Sequence, residues 1–521
     1  MGWTKERLVD VAQRRLEGRK LIVVSNREPY SHQFKNAAVE VIRAVGGLTA
    51  ALDPVMQACG GTWIAHGSGS ADRDFSDADG RLAVPPEAPS YTLRRVWLQA
   101  EEERGHYAGF SNSTLWPLCH QVYQRPTFDP EHWRMYRHVN ELFAERVLDE
   151  AAGGPALVFI QDYHFALLPR MLKERRPDLL TAQFWHIPWP GAEVFGICPW
   201  AAEILDGMLG NDLLGFHIQN DCNNFMECVD RMLESRISRE HFSVQCRGQE
   251  TRVRPFPISV DPALARQYLG RDPDARVAAF RAKHGLADLP LLVGVDRVDY
   301  TKGIPERLRG LHRMLEQYPG MAGTFQFVQV GAPSRTQLSA YRDLNTEVRT
   351  WVDRINGRFG TDAWLPVAFV NESCGPREVH TLYRAATGCV VSSLHDGMNL
   401  VAKEFVSARD DELGSLVLSQ FTGAARELTE AIIVNPFDVQ QMADGLRASL
   451  TMPAVEQQRR MRRLRARVEE HTIYKWAGRL ISEAAKLAPD DPAEEAEPAE
   501  EASVVFGRRR ANFDRMDVSA V

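Results

Sequence analysis

No stretch of this 521-residue chain stays apolar for the ~18–20 residues a bilayer-spanning helix needs, so no helical membrane span is predicted. Met1 to Lys20 carries several charges and no apolar core, which excludes a secretory signal there; Leu8, Val11 and Leu16 instead suit a short amphipathic helix. The eight cysteines (59, 119, 198, 222, 228, 246, 374, 389) contain no CxxC pair, a pattern that suits reduced thiols better than a disulfide framework. Cys222 and Cys228 with nearby His217 stop one ligand short of a tetrahedral zinc site. Basic charge is also scarce. With 62 Lys and Arg against 69 Asp and Glu the net charge is −7, which argues against a general nucleic-acid binder. Small anionic ligands need only a local cluster and stay open. The expected setting is the cytoplasm, with no cofactor, metal, nucleic acid or membrane partner.

What is present is alternation. Short apolar runs at Leu21–Ser25, Thr62–His66, Ala156–Gln161, Thr181–His186 and Leu213–His217 read as strands covered on both faces. A second series follows at Leu291–Val295, Thr324–Gly331, Val367–Asn371, Cys389–Leu394, Ser415–Ser419 and Ile432–Asn435. Helical spacing separates them at Glu131–Ala151, Glu306–Tyr318 and Arg335–Arg358. This predicts an α/β protein of two Rossmann-like domains, 20–258 and 259–486, facing a cleft at the carboxyl ends of their strands. An N-terminal extension, 1–19, precedes them. The tail, 487–521, is rich in Pro, Ala, Asp and Glu and reads as disordered.

Two segments carry the chemistry. Leu291–Val295 runs into Asp296-Arg297-Val298-Asp299-Tyr300-Thr301-Lys302-Gly303, which delivers two fixed cations to a strand end. Arg297 and Lys302 there suit the charge that grows on a departing diphosphate; an Arg297–Asp299 bridge is the competing reading. Cys389–Leu394 is followed by Asp396-Gly-Met-Asn-Leu-Val-Ala-Lys-Glu404, a carboxylate and glycine before a helix start able to hold an anion. Asp396 could accept from sugar hydroxyls or serve as the helix N-cap. Glu404, among Leu400, Val401 and Phe405, could bind a ribose diol. Gly46 and Gly47 allow close backbone approach to a phosphate, or form a plain turn. Asp162, His164 and His186 each follow a strand, where open α/β sheets place working residues.

Together these segments resemble glycosyltransferase family 20, the trehalose-6-phosphate synthases: retaining enzymes of the two-domain GT-B fold. Ser25-Asn26-Arg27, Gly46-Gly47-Leu48, Leu115-Trp116-Pro117, Asp162-Tyr163-His164, His186-Ile187-Pro188, Arg297 to Gly303, Ala332 to Arg335, Arg354 to Gly357 and Asp396 to Glu404 carry the likeness over roughly residues 20 to 485. The resemblance implies glucose transfer from a nucleoside-diphosphate glucose to glucose 6-phosphate, without a metal. It places Arg297, Lys302, His186 and Asp396 in catalysis. Donor contacts would come from Gly46, Gly47, Arg297, Lys302 and Leu400, Val401, Ala402, Lys403 and Glu404. Arg27, Tyr107, Trp116, Asp162 and Arg335 would form the acceptor pocket. A homo-oligomer is compatible with it.

Three departures stand out. His395 occupies the place of the usual Arg before Asp-Gly, and Cys374 lies near an expected aromatic beside the nucleotide base. Glu28-Pro29-Tyr30 and the stretch to Gly46 are unlike the usual acceptor loop, and Arg27-Glu28-Pro29-Tyr30 resembles the glucosylglycerol-phosphate synthases, which use glycerol 3-phosphate. Two further alternatives are a non-catalytic sugar-phosphate sensor and a pseudo-glycosyltransferase. The intact set Arg297, Lys302, Asp396 and Glu404 weighs against the first, and the intact Asp396-Gly397-Met398-Asn399 against the second.

Overall fold

The apolar runs assemble into two sheets. The computed structural model describes residues 2–36, 38–43 and 47–488; Gly46 and the predicted acidic tail beyond residue 488 lie outside them. Strand Lys20–Arg27 lies between Ala156–Gln161 and Thr62–His66, parallel to both. Outward on one side follow Leu180–Phe184, Leu213–Phe216 and Gln249–Pro255, all parallel, and on the other Tyr91–Val96. Antiparallel strands close both edges, to give ten in all. Every residue of Thr62–His66, Ala156–Gln161 and Leu180–Phe184 is buried, as expected where helices cover both faces.

The second sheet has six parallel strands in the order Val367–Val370, Gln326–Ala332, Leu291–Arg297, Gly388–Val391, Ser415–Ser419, Ile432–Val434. Its order reverses between Leu291–Arg297 and Gly388–Val391, and the first sheet's between Lys20–Arg27 and Ala156–Gln161. At such a point neighbouring crossovers leave in opposite directions and a crevice opens beyond the strand ends. Arg297, Asp396, Arg27 and Asp162 all lie at or just past these four ends. The last helix, Ile473–Ala485, packs on the first sheet: Trp476 meets Phe159 and Phe184 with ring centroids 5.7 and 5.1 Å apart. It also meets the N-terminal helix Lys5–Leu16 and Trp3, against which a side chain at Gly478 would collide.

The stretch after Arg27 is a β-hairpin, Tyr30–Lys35 with Ala38–Arg43, where the sequence suggested only an unusual loop. Tyr107 stands on another unforeseen element, a π-helical segment Arg104–Leu115. Among the described residues no helix is long and apolar enough to cross a membrane.

Candidate active site

On the second sheet, the turn after Leu291–Arg297 and the loop after Gly388–Val391 face each other. Lys302 Nζ donates to Asp396 Oδ2 at 2.5 Å, and the same oxygen accepts from Asn399 Nδ2 at 3.1 Å and Ser393 Oγ at 3.2 Å. Burial alone would raise the Asp396 pKa, but Lys302 and Asn399 outweigh it and hold the carboxyl at about 2. Asp396 is therefore an ionised acceptor, and the N-cap of helix Leu400–Ala408 is Asn399, whose Oδ1 accepts from the Ala402 N–H at 3.1 Å. The N–H groups of Leu400 and Val401 remain at the open end of that helix.

Lys403 and Glu404 part company. The Lys403 ammonium is buried, pairs with Glu427 and donates to the Ile258 carbonyl at 2.7 Å, so its charge is engaged outside the Lys302–Asp396 cluster. Glu404 lies half-buried beside Tyr383, and burial pushes its carboxyl up to about 7. Gly47 opens helix Gly47–Cys59 at φ +67, a left-handed conformation that favours glycine.

Arg297 lies 3.7 Å from Asp299, too long for a hydrogen bond, while Asp299 accepts from Thr301 N–H and Oγ at 3.1 and 3.0 Å. The Arg297 side chain is 37% exposed and reaches across to the first sheet, its guanidinium carbon 5.7 Å from the centre of the Trp116 ring. Arg335 packs more closely on the same ring, at 4.1 Å. Its guanidinium donates to Tyr341 Oη at 2.6 Å and approaches Tyr163 Oη at 3.3 Å and Asp299 at 3.4 Å. One tryptophan thus underlies both cations.

The first sheet supplies the opposite wall. Arg27 donates to Tyr107 Oη at 2.7 Å. Burial resists ionisation of that phenol, yet Arg27, Arg335 and Arg297 draw its pKa down to about 8. Asp162 is held at φ 72 and ψ −179, a region nearly restricted to glycine and costing about 1–3 kcal/mol. Burial raises its carboxyl to about 7 against the N–H groups of Tyr163 and His186 and the nearby arginines. The His186 N–H donates to Asp162 Oδ1 at 3.1 Å, and its ring Nε2 pairs with Gln161 Oε1 at 2.9 Å. Burial, then His217, keeps this imidazole neutral, its pKa well below the ordinary value. Opposite it sits Gly397, where a Cβ would lie 2.5 Å from the His186 carbonyl oxygen. The glycine of Asp-Gly lets the two walls touch.

Most of the expected site residues with described coordinates lie at strand ends or on the segments that follow them, with Tyr107 and Trp116 on helical elements farther along the chain. Tyr163, Tyr341 and His120 join the site without a signal of their own in the sequence: Tyr341 lies in the helical repeat Arg335–Arg358, and Tyr163 stands between Asp162 and His164.

The model of glycosyltransferase family 20 matches residues 19–486. The chain belongs to glycosyltransferase family 20. Among its relatives, the trehalose-6-phosphate synthase of Mycobacterium avium is 38% identical over 479 residues, 90% of this chain and 96% of that protein. Two solved structures share the fold with a TM-score of 0.79. One is the Escherichia coli protein bound with UDP-2-fluoro glucose, 29% identical, with 90% of this chain and 99% of that one covered. The other is the UDP-forming α,α-trehalose-phosphate synthase of Burkholderia xenovorans in complex with glucose 6-phosphate, 30% identical, with 89% and 99% covered. The family 20 fold is thus an α/β arrangement of two parallel-sheet domains, of the GT-B type.

Proposed function

We propose that this family 20 chain transfers glucose from UDP-glucose to the anomeric hydroxyl of glucose 6-phosphate, with retained configuration, to give trehalose 6-phosphate. The observation that carries the reading is the pairing across one cleft of Lys302–Asp396 and Arg297 with Arg27–Tyr107 and Arg335, joined by Trp116. Related proteins hold a UDP sugar and glucose 6-phosphate on this fold. Lobes 20–258 and 259–486 would then serve acceptor and donor.

Arg297 and Lys302 would hold the diphosphate oxygens, with Leu400 and Val401 N–H groups and the Gly47 backbone adding uncharged donors. As the glycosidic bond to the diphosphate breaks, negative charge grows where these groups already point, so they stabilise the transition state more than the ground state. Asp396, ionised, and neutral His186 would take sugar hydroxyls, and Glu404 the ribose. The acceptor phosphate would lie against Arg27, Tyr107 and Arg335, with Asp162 on its sugar. No protein group stands as a nucleophile in this reading: the leaving phosphate takes the acceptor proton, and the site contributes position and charge.

Glu28 and Tyr30, which carried the glycerol 3-phosphate resemblance, are turned inward. Glu28 pairs with buried Arg95 at 2.8 Å and Tyr30 Oη donates to Asp53 at 2.9 Å, so neither presents its polar atom to the cleft. The test is nucleoside diphosphate release from UDP-, GDP- and ADP-glucose with glucose 6-phosphate or glycerol 3-phosphate. Turnover with UDP-glucose and glucose 6-phosphate is expected. Turnover only with glycerol 3-phosphate, or with no pair, would overturn the reading.

A further inference from the structure

Helix Trp116–His120 is short, and the carbonyls of its first and last residues each lie against an imidazole. His120 Nδ1 lies 2.8 Å from the Trp116 carbonyl, and His395 Nδ1, arriving from the other sheet, lies 2.7 Å from the His120 carbonyl. A carbonyl can only accept, so both Nδ1 atoms carry the proton. Burial keeps both rings toward the neutral form. At one end of this chain of contacts, His395 precedes Asp396 and its bond to Lys302. At the other, Trp116 underlies Arg335 and Arg297.

We propose that His395 is a positioning residue that couples the donor side of the cleft to the acceptor side through its bond to the helix carrying Trp116. The inference rests on the reading of Asp396 as donor-side and Trp116 as acceptor-side. The bond joins the loop of Asp396 to the helix of Trp116. When it forms, the Asp396 loop and the Trp116 ring are fixed in one frame, so a donor that orders the loop also readies the acceptor floor. Glucose 6-phosphate should therefore bind more tightly once UDP is in place, and His395 should carry part of that gain.

Three substitutions separate this from simple packing. His395→Asn keeps an N–H near the Nδ1 position, His395→Gln moves it one methylene farther, and His395→Ala removes it. Binding of glucose 6-phosphate is measured by calorimetry with and without UDP, beside steady-state kinetics. In wild type UDP is expected to tighten glucose 6-phosphate, and the Ala and Gln forms to lose about tenfold of that coupling, within the usual range for linked sites. Their KM for glucose 6-phosphate should rise by a similar factor, while the Asn form recovers most of the loss. Equal behaviour of the Asn and Gln forms, or unchanged coupling in the Ala form, would overturn the proposal. Wild-type turnover tests the functional reading independently.

Discussion

The two walls of the cleft are built differently. The donor wall comes from two short, nearly continuous segments, 296–303 and 392–404, whose groups bind one another: Lys302, Ser393 and Asn399 all converge on one oxygen of Asp396. The acceptor wall gathers Arg27, Tyr107, Trp116, Asp162 and Arg335 from five separate elements, one of them on the other sheet. Their ionisation differs too. The wall read as the donor side has a carboxylate held near 2, whereas the wall read as the acceptor side has Asp162 at about 7 and Tyr107 at about 8. Only Glu404 departs from this on the first wall. Apart from Glu404, the groups shifted toward neutral pH thus lie on the wall read as the acceptor side, while Asp396 opposite keeps its charge.

The sharpest way to break this contrast is to remove a donor-wall cation. Arg297→Ala should lower kcat by about a hundredfold, the scale of one lost transition-state contact, with much less effect on KM for the sugar phosphate. Steady-state kinetics with both substrates varied checks it. A near-normal kcat would move Arg297 out of the reaction and leave it as a partner of Trp116 alone.

A smaller effect tests the acceptor wall. With its pKa near 8, the Tyr107 phenol is neutral below that pH and a phenolate above it. The phosphate is already a dianion there, its second pKa being about 6. The phenolate repels that dianion and neutralises Arg27, so kcat/KM for the sugar phosphate should fall as pH rises through about 8, approaching tenfold per unit. Tyr107→Phe should flatten this limb. Should the limb persist unchanged in that variant, another group titrates there.

The same contrast explains what could be read from the sequence. The donor wall was legible because a parallel strand that ends in Asp-Arg or in His-Asp-Gly keeps its chemistry within a few residues of an apolar run. Eleven expected strands correspond to observed ones, with Thr62–His66, Ala156–Gln161 and Ser415–Ser419 matching end to end. The hairpin Tyr30–Arg43 was missed because its outer positions are exposed and its pattern mixes charge with Phe34, Val41 and Ile42, so no apolar run marks it. Sequence places Lys403 on the helix after Asp396 without showing that its ammonium turns to Glu427 and the Ile258 carbonyl. Tyr163 and Tyr341 were invisible as Arg335 partners, since only the packed sheets bring residues 163 and 335 together.

Not every donor-wall contribution comes from a residue that faces the cleft. Gly294 interrupts an apolar strand, and a Cβ there would lie 2.0 Å from Arg307 Nη1. The strand makes room for that wholly buried guanidinium, which binds Asp296 at 2.8 Å, Gln329 at 2.8 Å and Ser392 Oγ at 3.0 Å. Ser392 in turn donates to the Gly303 carbonyl at 2.8 Å, so Arg307 fixes both ends of the turn that carries Arg297 and Lys302. Removing the guanidinium would strand a buried carboxylate and destabilise the fold, which makes it a poor probe. Ser392→Ala removes the hydroxyl that joins Arg307 to the Lys302 and Gly303 carbonyls and leaves the Arg307–Asp296 pair in place. A neutral hydrogen bond is worth about 0.5–1.5 kcal/mol, so kcat should drop about fivefold as Lys302 loosens, while binding of glucose 6-phosphate stays near normal. If the loss appears instead in sugar-phosphate binding, the turn is shared by both walls and the division between them is less clean than their construction implies.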